Sequence, residues 1–168
     1  MINLKKYYLI IFTFSFIILA GCPNGSDSYS PGTFYIDPPI MTVEPGSSFY
    51  LKIYLNSGEQ KVANYDITLE FDKGLLSIDD TKGEDGVAFG QDGIPINSVN
   101  ADIPGEITIR GFYLFGEGPG SNLHMMDVYF KADAKGTSDI IISITSLTDP
   151  DDKIIGLPNY IGATVTIQ

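Results

Sequence analysis

From Phe49 to Asn56 the chain alternates strictly: Phe49, Leu51, Ile53 and Leu55 interleave with Tyr50, Lys52, Tyr54 and Asn56. The stretch Val62–Ile78 does the same in its first part, with Tyr65, Ile67, Leu69 and Phe71 against Asp66, Thr68, Glu70 and Asp72. Successive side chains on a strand point to opposite faces, so each pattern predicts a half-buried strand with an apolar back and a polar front. Asp72-Lys73-Gly74 breaks the second strand, and Leu75, Leu76 and Ile78 return apolar weight to the core. Further strands are predicted at Thr33–Asp37, Met41–Val43, Glu106–Phe115, Met125–Ala132 and Ile140–Leu147, and along the alternation Ile161, Ala163, Val165, Ile167. Between them lie Pro38-Pro39, the turn Glu44-Pro45-Gly46, Ser57-Gly58, Pro104-Gly105, a Gly116–Gly120 loop, an Ala134–Ser138 turn and an acidic Asp149–Lys153 loop. A long Gly/Asp-rich region, Asp79–Asn100, carries short apolar pieces at Val87–Phe89 and Ile94–Val99. After the N-terminal region no segment shows a helical period, and no repeat is visible. Many short strands with turn signals at this spacing predict an all-β, two-sheet sandwich.

The N-terminal 22 residues follow a different pattern. Lys5 and Lys6 precede an apolar or small-polar run from Tyr7 to Ala20, shorter than the roughly 20 apolar residues a span needs. A basic head, an apolar run and small residues at its end read as a secretory signal. Leu19-Ala20-Gly21-Cys22 resembles the lipobox of bacterial lipoproteins, which implies cleavage after residue 21 and diacylation of Cys22. Several acyl chains at one residue meet the two-signal requirement for stable anchoring. The expected organisation is therefore a signal peptide over 1–21, a lipidated Cys22 with a flexible tether over 22–32, and one sandwich domain over 33–168. The tether, ending in Tyr-Ser-Pro-Gly, is too polar and turn-rich to offset its own ordering. The location implied is extracytoplasmic, with the lipid in the cell or outer membrane.

Composition narrows the chemistry. Cys22 is the only cysteine, so the domain has no internal disulfide, no thiol nucleophile and no cysteine-based metal site. The formal net charge is −11, and loss of Lys5 and Lys6 with the signal makes the remainder more acidic. Nucleic acid is a poor partner for such a surface, and anionic headgroups repel it, which leaves the lipid to make the membrane contact. His124 is the only histidine; on a regular strand it and Asp127 point to opposite faces, and no Gly-x-Ser-x-Gly elbow exists, so no enzyme is expected. The acidic stretches Asp79-Asp80, Glu84-Asp85 and Asp149–Asp152 are oxygen-rich but lack the spacing of a calcium loop, and no cofactor is expected.

Several pieces, in order, resemble the cohesin modules of bacterial cellulosomes. They are Val43-x-Pro45-Gly46 before an alternating strand, Asn64-Tyr65-Asp66 with Phe71-Asp72, Pro104 through Phe115, Val128–Lys131 followed by Gly136, and Gly162-x-x-Val165-x-Ile167. Lys73 departs from the family, which usually has Pro there, and the middle region is long. The resemblance implies a nine-stranded jelly-roll sandwich that binds the dockerin module of another protein, with the calcium belonging to the dockerin. Carried over residue by residue, it places partner contacts at Asn64 and Asp66, with Leu114 and Glu117 near the family's apolar and acidic contacts. The alternative is a carbohydrate-binding sandwich, for which Tyr50 and Tyr54 with Lys52 between them form a candidate strip.

Overall fold

A computed structural model describes residues 29–168. Twelve strands form among these residues and no helix: β1 Thr33–Asp37, β2 Ile40–Val43, β3 Ser48–Asn56, β4 Val62–Glu70, β5 Leu76–Ile78, β6 Val87–Phe89, β7 Ile96–Asn100, β8 Glu106–Glu117, β9 Leu123–Ala132, β10 Gly136–Thr148, β11 Asn159–Ile161 and β12 Ala163–Ile167. One sheet has the order β11-β1-β3-β9-β5, with β6 also on β9; the other runs β2-β12-β10-β4-β8-β7. The chain passes repeatedly between the sheets, which is how a jelly-roll sandwich is wound.

Alternation becomes burial as expected. Leu51, Ile53 and Leu55 of β3 and Tyr65, Ile67 and Leu69 of β4 are wholly buried, and they face Ile107 and Ile109 of β8, Val128 and Phe130 of β9 and Ile142 of β10 across one core. Each such side chain contributes on the order of 1.5–3 kcal/mol by leaving water, so the facing stripes hold the sheets together without a disulfide. Phe71, past the end of β4, packs edge-on against Phe130 with ring centroids 5.3 Å apart.

The sequence expectations need correction at four places. The alternation from Ile161 to Ile167 is two strands: β11 pairs parallel with β1 in one sheet, and β12 pairs with β10 and β2 in the other. The switch falls at Gly162, where a Cβ would sit 2.2 Å from the carbonyl oxygen of Ile140, so only glycine lets the crossing chain pass this close. The Ala134–Ser138 turn is shorter than expected, because β10 begins at Gly136, paired with Ile167. Tyr29–Gly32, expected in the tether, belong to the domain: the Gly32 amide donates to the Asn56 carbonyl, the Asn56 side chain donates to the Tyr29 carbonyl, and Leu157 donates to Pro31. Gly32 reaches this position with φ +90°, which a side chain would strain. Twelve strands replace the implied nine, since the Gly/Asp-rich region supplies β6 and β7 and the sheet crossings split both ends. Cys22 and the remaining tether lie outside the described residues.

Candidate functional site

The central strands of the second sheet, β10-β4-β8, put their polar residues on one outer face, and the register decides which of them meet. Asp66 lies opposite Arg110, and Thr68 opposite Thr108. The Arg110 Nε donates to the Asp66 Oδ2 at 2.7 Å, with Arg110 56 % exposed and Asp66 only 18 %. Asn64 donates through Nδ2 to the Ser146 Oγ at 2.7 Å, and the Ser143 hydroxyl donates to Glu70 at 3.1 Å. Thr68 and Thr108 share a hydrogen bond of 3.0 Å. The face is therefore a knitted polar strip rather than a row of idle side chains. An approaching molecule meets the Arg110 guanidinium, with Asp66 tucked beneath it. Arg110 is the residue of this face that the sequence did not single out; its outward position in Glu106–Phe115 was legible, but its pairing with Asp66 was not.

Beside this strip β8 departs from regular pairing. Phe112 lies opposite Asn64 and Glu117 opposite Val62, so β8 advances five residues while β4 retreats two. Tyr113–Gly116, four residues where β4 has only Ala63, form the bulge, and Gly116 completes it with φ +64°. At the start of the bulge the buried Tyr65 ring occupies the space where a Gly111 side chain would go, 2.4 Å from the Cβ position. Phe112, Leu114 and Phe115 are 53 %, 64 % and 68 % exposed. Tyr113 lies edge-on to Phe115, with centroids 5.7 Å apart. Of the expected contact residues, Asn64, Asp66 and Leu114 come together on this face and its rim. Glu117 lies beyond the bulge, still paired within β8 although the sequence placed it in a loop, and is not brought to the strip.

His124 corrects a further expectation. Its Nε2 lies 2.8 Å from the Asp127 Oδ1, so the two side chains share a face rather than opposing one another. The cause is a bulge in β9: Met126 pairs with Ile53 and His124 with Tyr54, and both Met125 and Met126 are buried. One extra residue resets the alternation. The other ring nitrogen of His124 faces the Gln91 amide at 3.4 Å, and the ring sits beside Tyr54 with centroids 5.1 Å apart. No hydroxyl is among its hydrogen-bond partners in the described residues, so the pair makes no nucleophilic triad.

In two of the acidic stretches a carboxylate bonds within its own turn. Asp79 is buried, accepting from the Thr81 hydroxyl at 2.5 Å with Lys131 at 3.9 Å. The Thr81 hydroxyl, foremost among its hydrogen bonds, holds its carboxyl below the ordinary value. Asp149 Oδ1 accepts from the amides of Asp151 and Lys153, and its carboxyl is lowered by these bonds, the Lys153 amide first. Among the described residues no three His, Cys, Asp or Glu side chains are placed to hold a metal ion.

No protein-family model and no curated protein matches the chain. Solved structures do. The sixth cohesin from scaffoldin B of Acetivibrio cellulolyticus, in complex with a Cel5 dockerin variant, matches with a TM-score of 0.67 at 13% identity, covering 83% of this chain and 100% of that one. The seventh ScaB type I cohesin from Pseudobacteroides cellulosolvens matches with 0.63 at 19% identity, covering 81% and 91%. The solution structure of CaCohA2 from Clostridium acetobutylicum matches with 0.61 at 16% identity, covering 83% and 92%. The described residues thus form a sandwich domain with the cohesin fold.

Proposed function

We propose that this chain is a lipid-anchored, extracytoplasmic binding module that presents the outer face of β10-β4-β8 to a protein partner, a dockerin-type module being the first candidate. The observation that carries this reading is the juxtaposition on one preformed sheet face of the Asn64–Asp66–Arg110 polar strip and the exposed Phe112–Leu114–Phe115 bulge. Such a surface suits recognition of another protein: exposed aromatic and aliphatic side chains supply the apolar contact, and an arginine beside them supplies directional hydrogen bonds. Several of the similar solved structures are described as cohesin–dockerin complexes, which supports the same class of partner here. Binding by this face needs no reaction and no cofactor in the module itself.

The test is affinity capture on the immobilised domain, residues 29–168, from lysate of the source organism with calcium present, the captured chains being identified by mass spectrometry. The expected outcome is a dockerin-like protein that is released by chelation and lost from the Asn64→Ala/Asp66→Ala double variant. Retention of no protein, or retention unchanged in that variant and in Leu114→Ala, would remove the face from consideration.

A further inference from the structure

On the opposite sheet, β1 ends at Asp37 and the chain leaves for the other layer, while β3 begins several residues earlier in the register. β1 accompanies β3 only over Lys52–Asn56, whereas β9 accompanies it from Ser48 onward. The mismatch leaves a notch of about 360 Å³ beside the start of β3, lined by Asp37, Pro38, Met41, Ser48, Tyr50 and Lys52 among others. Tyr50 is 46 % exposed. Its ring has Tyr129 on the β9 side, centroids 5.5 Å apart, and the notch on the side that β1 vacates. Lys52 lies opposite Asp37 on β1 and opposite Asp127 on β9, so an ammonium and a carboxylate stand on the same face as the ring.

An aromatic ring open on one side, a carboxylate that only accepts and an ammonium that only donates are the complement of a pyranose. The C–H face of the sugar covers the ring, and neighbouring hydroxyls each donate to the one group and accept from the other. A β-linked glucose residue carries all its ring substituents equatorially and so presents axial C–H groups to an aromatic ring on both faces; an axial hydroxyl closes one of the two. The net charge of −11 disfavours polyanionic sugars. Beyond the notch the same face continues with Tyr54, stacked on Tyr35 at 5.4 Å and beside His124. Four steps of extended chain carry Tyr50 to Tyr54, about 13 Å, which leaves length for an oligosaccharide rather than a single ring.

We propose that this notch binds a neutral β-glucan-type oligosaccharide, one sugar ring seated on Tyr50 and its hydroxyls held by Asp37 and Lys52. The site lies on the sheet opposite the proposed protein-binding face, so the two activities are separable by mutation. The experiment is calorimetric titration of the chain from Cys22 onward with cellohexaose, followed in parallel by tyrosine fluorescence, since the chain contains no tryptophan. Saturable binding is expected, weakened at least tenfold by Tyr50→Ala, several-fold by Asp37→Asn or Lys52→Met, and unchanged by Leu114→Ala. Mannohexaose, with its axial hydroxyls, is expected to bind more weakly than cellohexaose. Circular dichroism and thermal melting confirm that each variant is folded. Absence of binding at millimolar cellohexaose, or undiminished binding by folded Tyr50→Ala, overturns the proposal. So does capture of an extended peptide along the free edge of β3 that cellohexaose does not displace.

Discussion

At the residue scale, the contacts that matter are those the register creates between distant positions. Asp66 and Arg110 form an ion pair at the surface, a class worth about 0–1 kcal/mol because water and salt screen it. Arg110→Met is therefore expected to leave the melting temperature within a few degrees of the original while weakening partner capture, and paired melting and binding measurements check this. Asp79 behaves differently, being buried and hydrogen-bonded. Its carboxyl, like that of Asp149, is held below its ordinary value in the folded domain, so protonation favours the unfolded chain. The stability these groups supply is complete above the unfolded carboxylate value, near pH 4, and is lost as pH falls through the lower folded values. Denaturant melts of the original and of Asp79→Asn should show a shallower decline below about pH 4 in the variant. Tyr35, by contrast, is pushed up to about 12, chiefly by burial, with Tyr29, Tyr54 and Asp37 adding to it. It stays a neutral hydroxyl that donates to the Asn122 side chain.

At the element scale, two bulges do most to distinguish this sandwich from a regular one. In β8 the bulge Tyr113–Gly116 sets Phe115 outward beside the exposed Leu114, and Gly111 gives up its own side-chain space to Tyr65. Gly111→Val is expected to destabilise the domain by about 1–3 kcal/mol through overpacking against a ring that has no room to move. A lowered denaturation midpoint at unchanged slope is the signature to look for. In β9 the extra residue at Met125–Met126 turns His124 outward to Asp127. Removing Met125 leaves Met126 opposite Ile53 and His124 opposite Tyr54 on an unbulged strand but takes one wholly buried side chain from the core, so that deletion is expected to fold with a lowered melting temperature and Met125→Leu to be tolerated, which thermal melting checks.

At the scale of the whole molecule, the two outer faces carry different chemistry on one rigid core. One is a polar strip with an apolar bulge at its rim, and the other is an aromatic face with a notch where β1 leaves. The proposed anchor completes this arrangement from outside the described residues. Cys22→Ser is expected to abolish labelling by radioactive palmitate and to move the protein from the membrane to the soluble fraction, without altering the melting of the domain. Labelling that persists in that variant would place the lipid elsewhere.

The chain by itself determined the alternation, and alternation was enough for the all-β class, most strand positions and the core stripe, because the side-chain period of a strand is local. Turn chemistry at Glu44-Pro45-Gly46 and Asp72-Lys73-Gly74 was equally local. The alternation also put Asn64 and Asp66 on outward positions, and the resemblance to cohesins added Leu114. Only the tertiary structure decided what those residues meet. The bulges that expose Phe115 and turn His124 toward Asp127 insert residues without any mark in the hydrophobic pattern. The sheet switch at Gly162 hides inside an unbroken alternation, since Ile161 and Ala163 are both apolar although they sit on strands of two different sheets. The pairing of Asp66 with Arg110, and the notch beside Tyr50, depend on register and on where a neighbouring strand stops. Those are properties of two strands at once, and a single stretch of sequence carries only one of them.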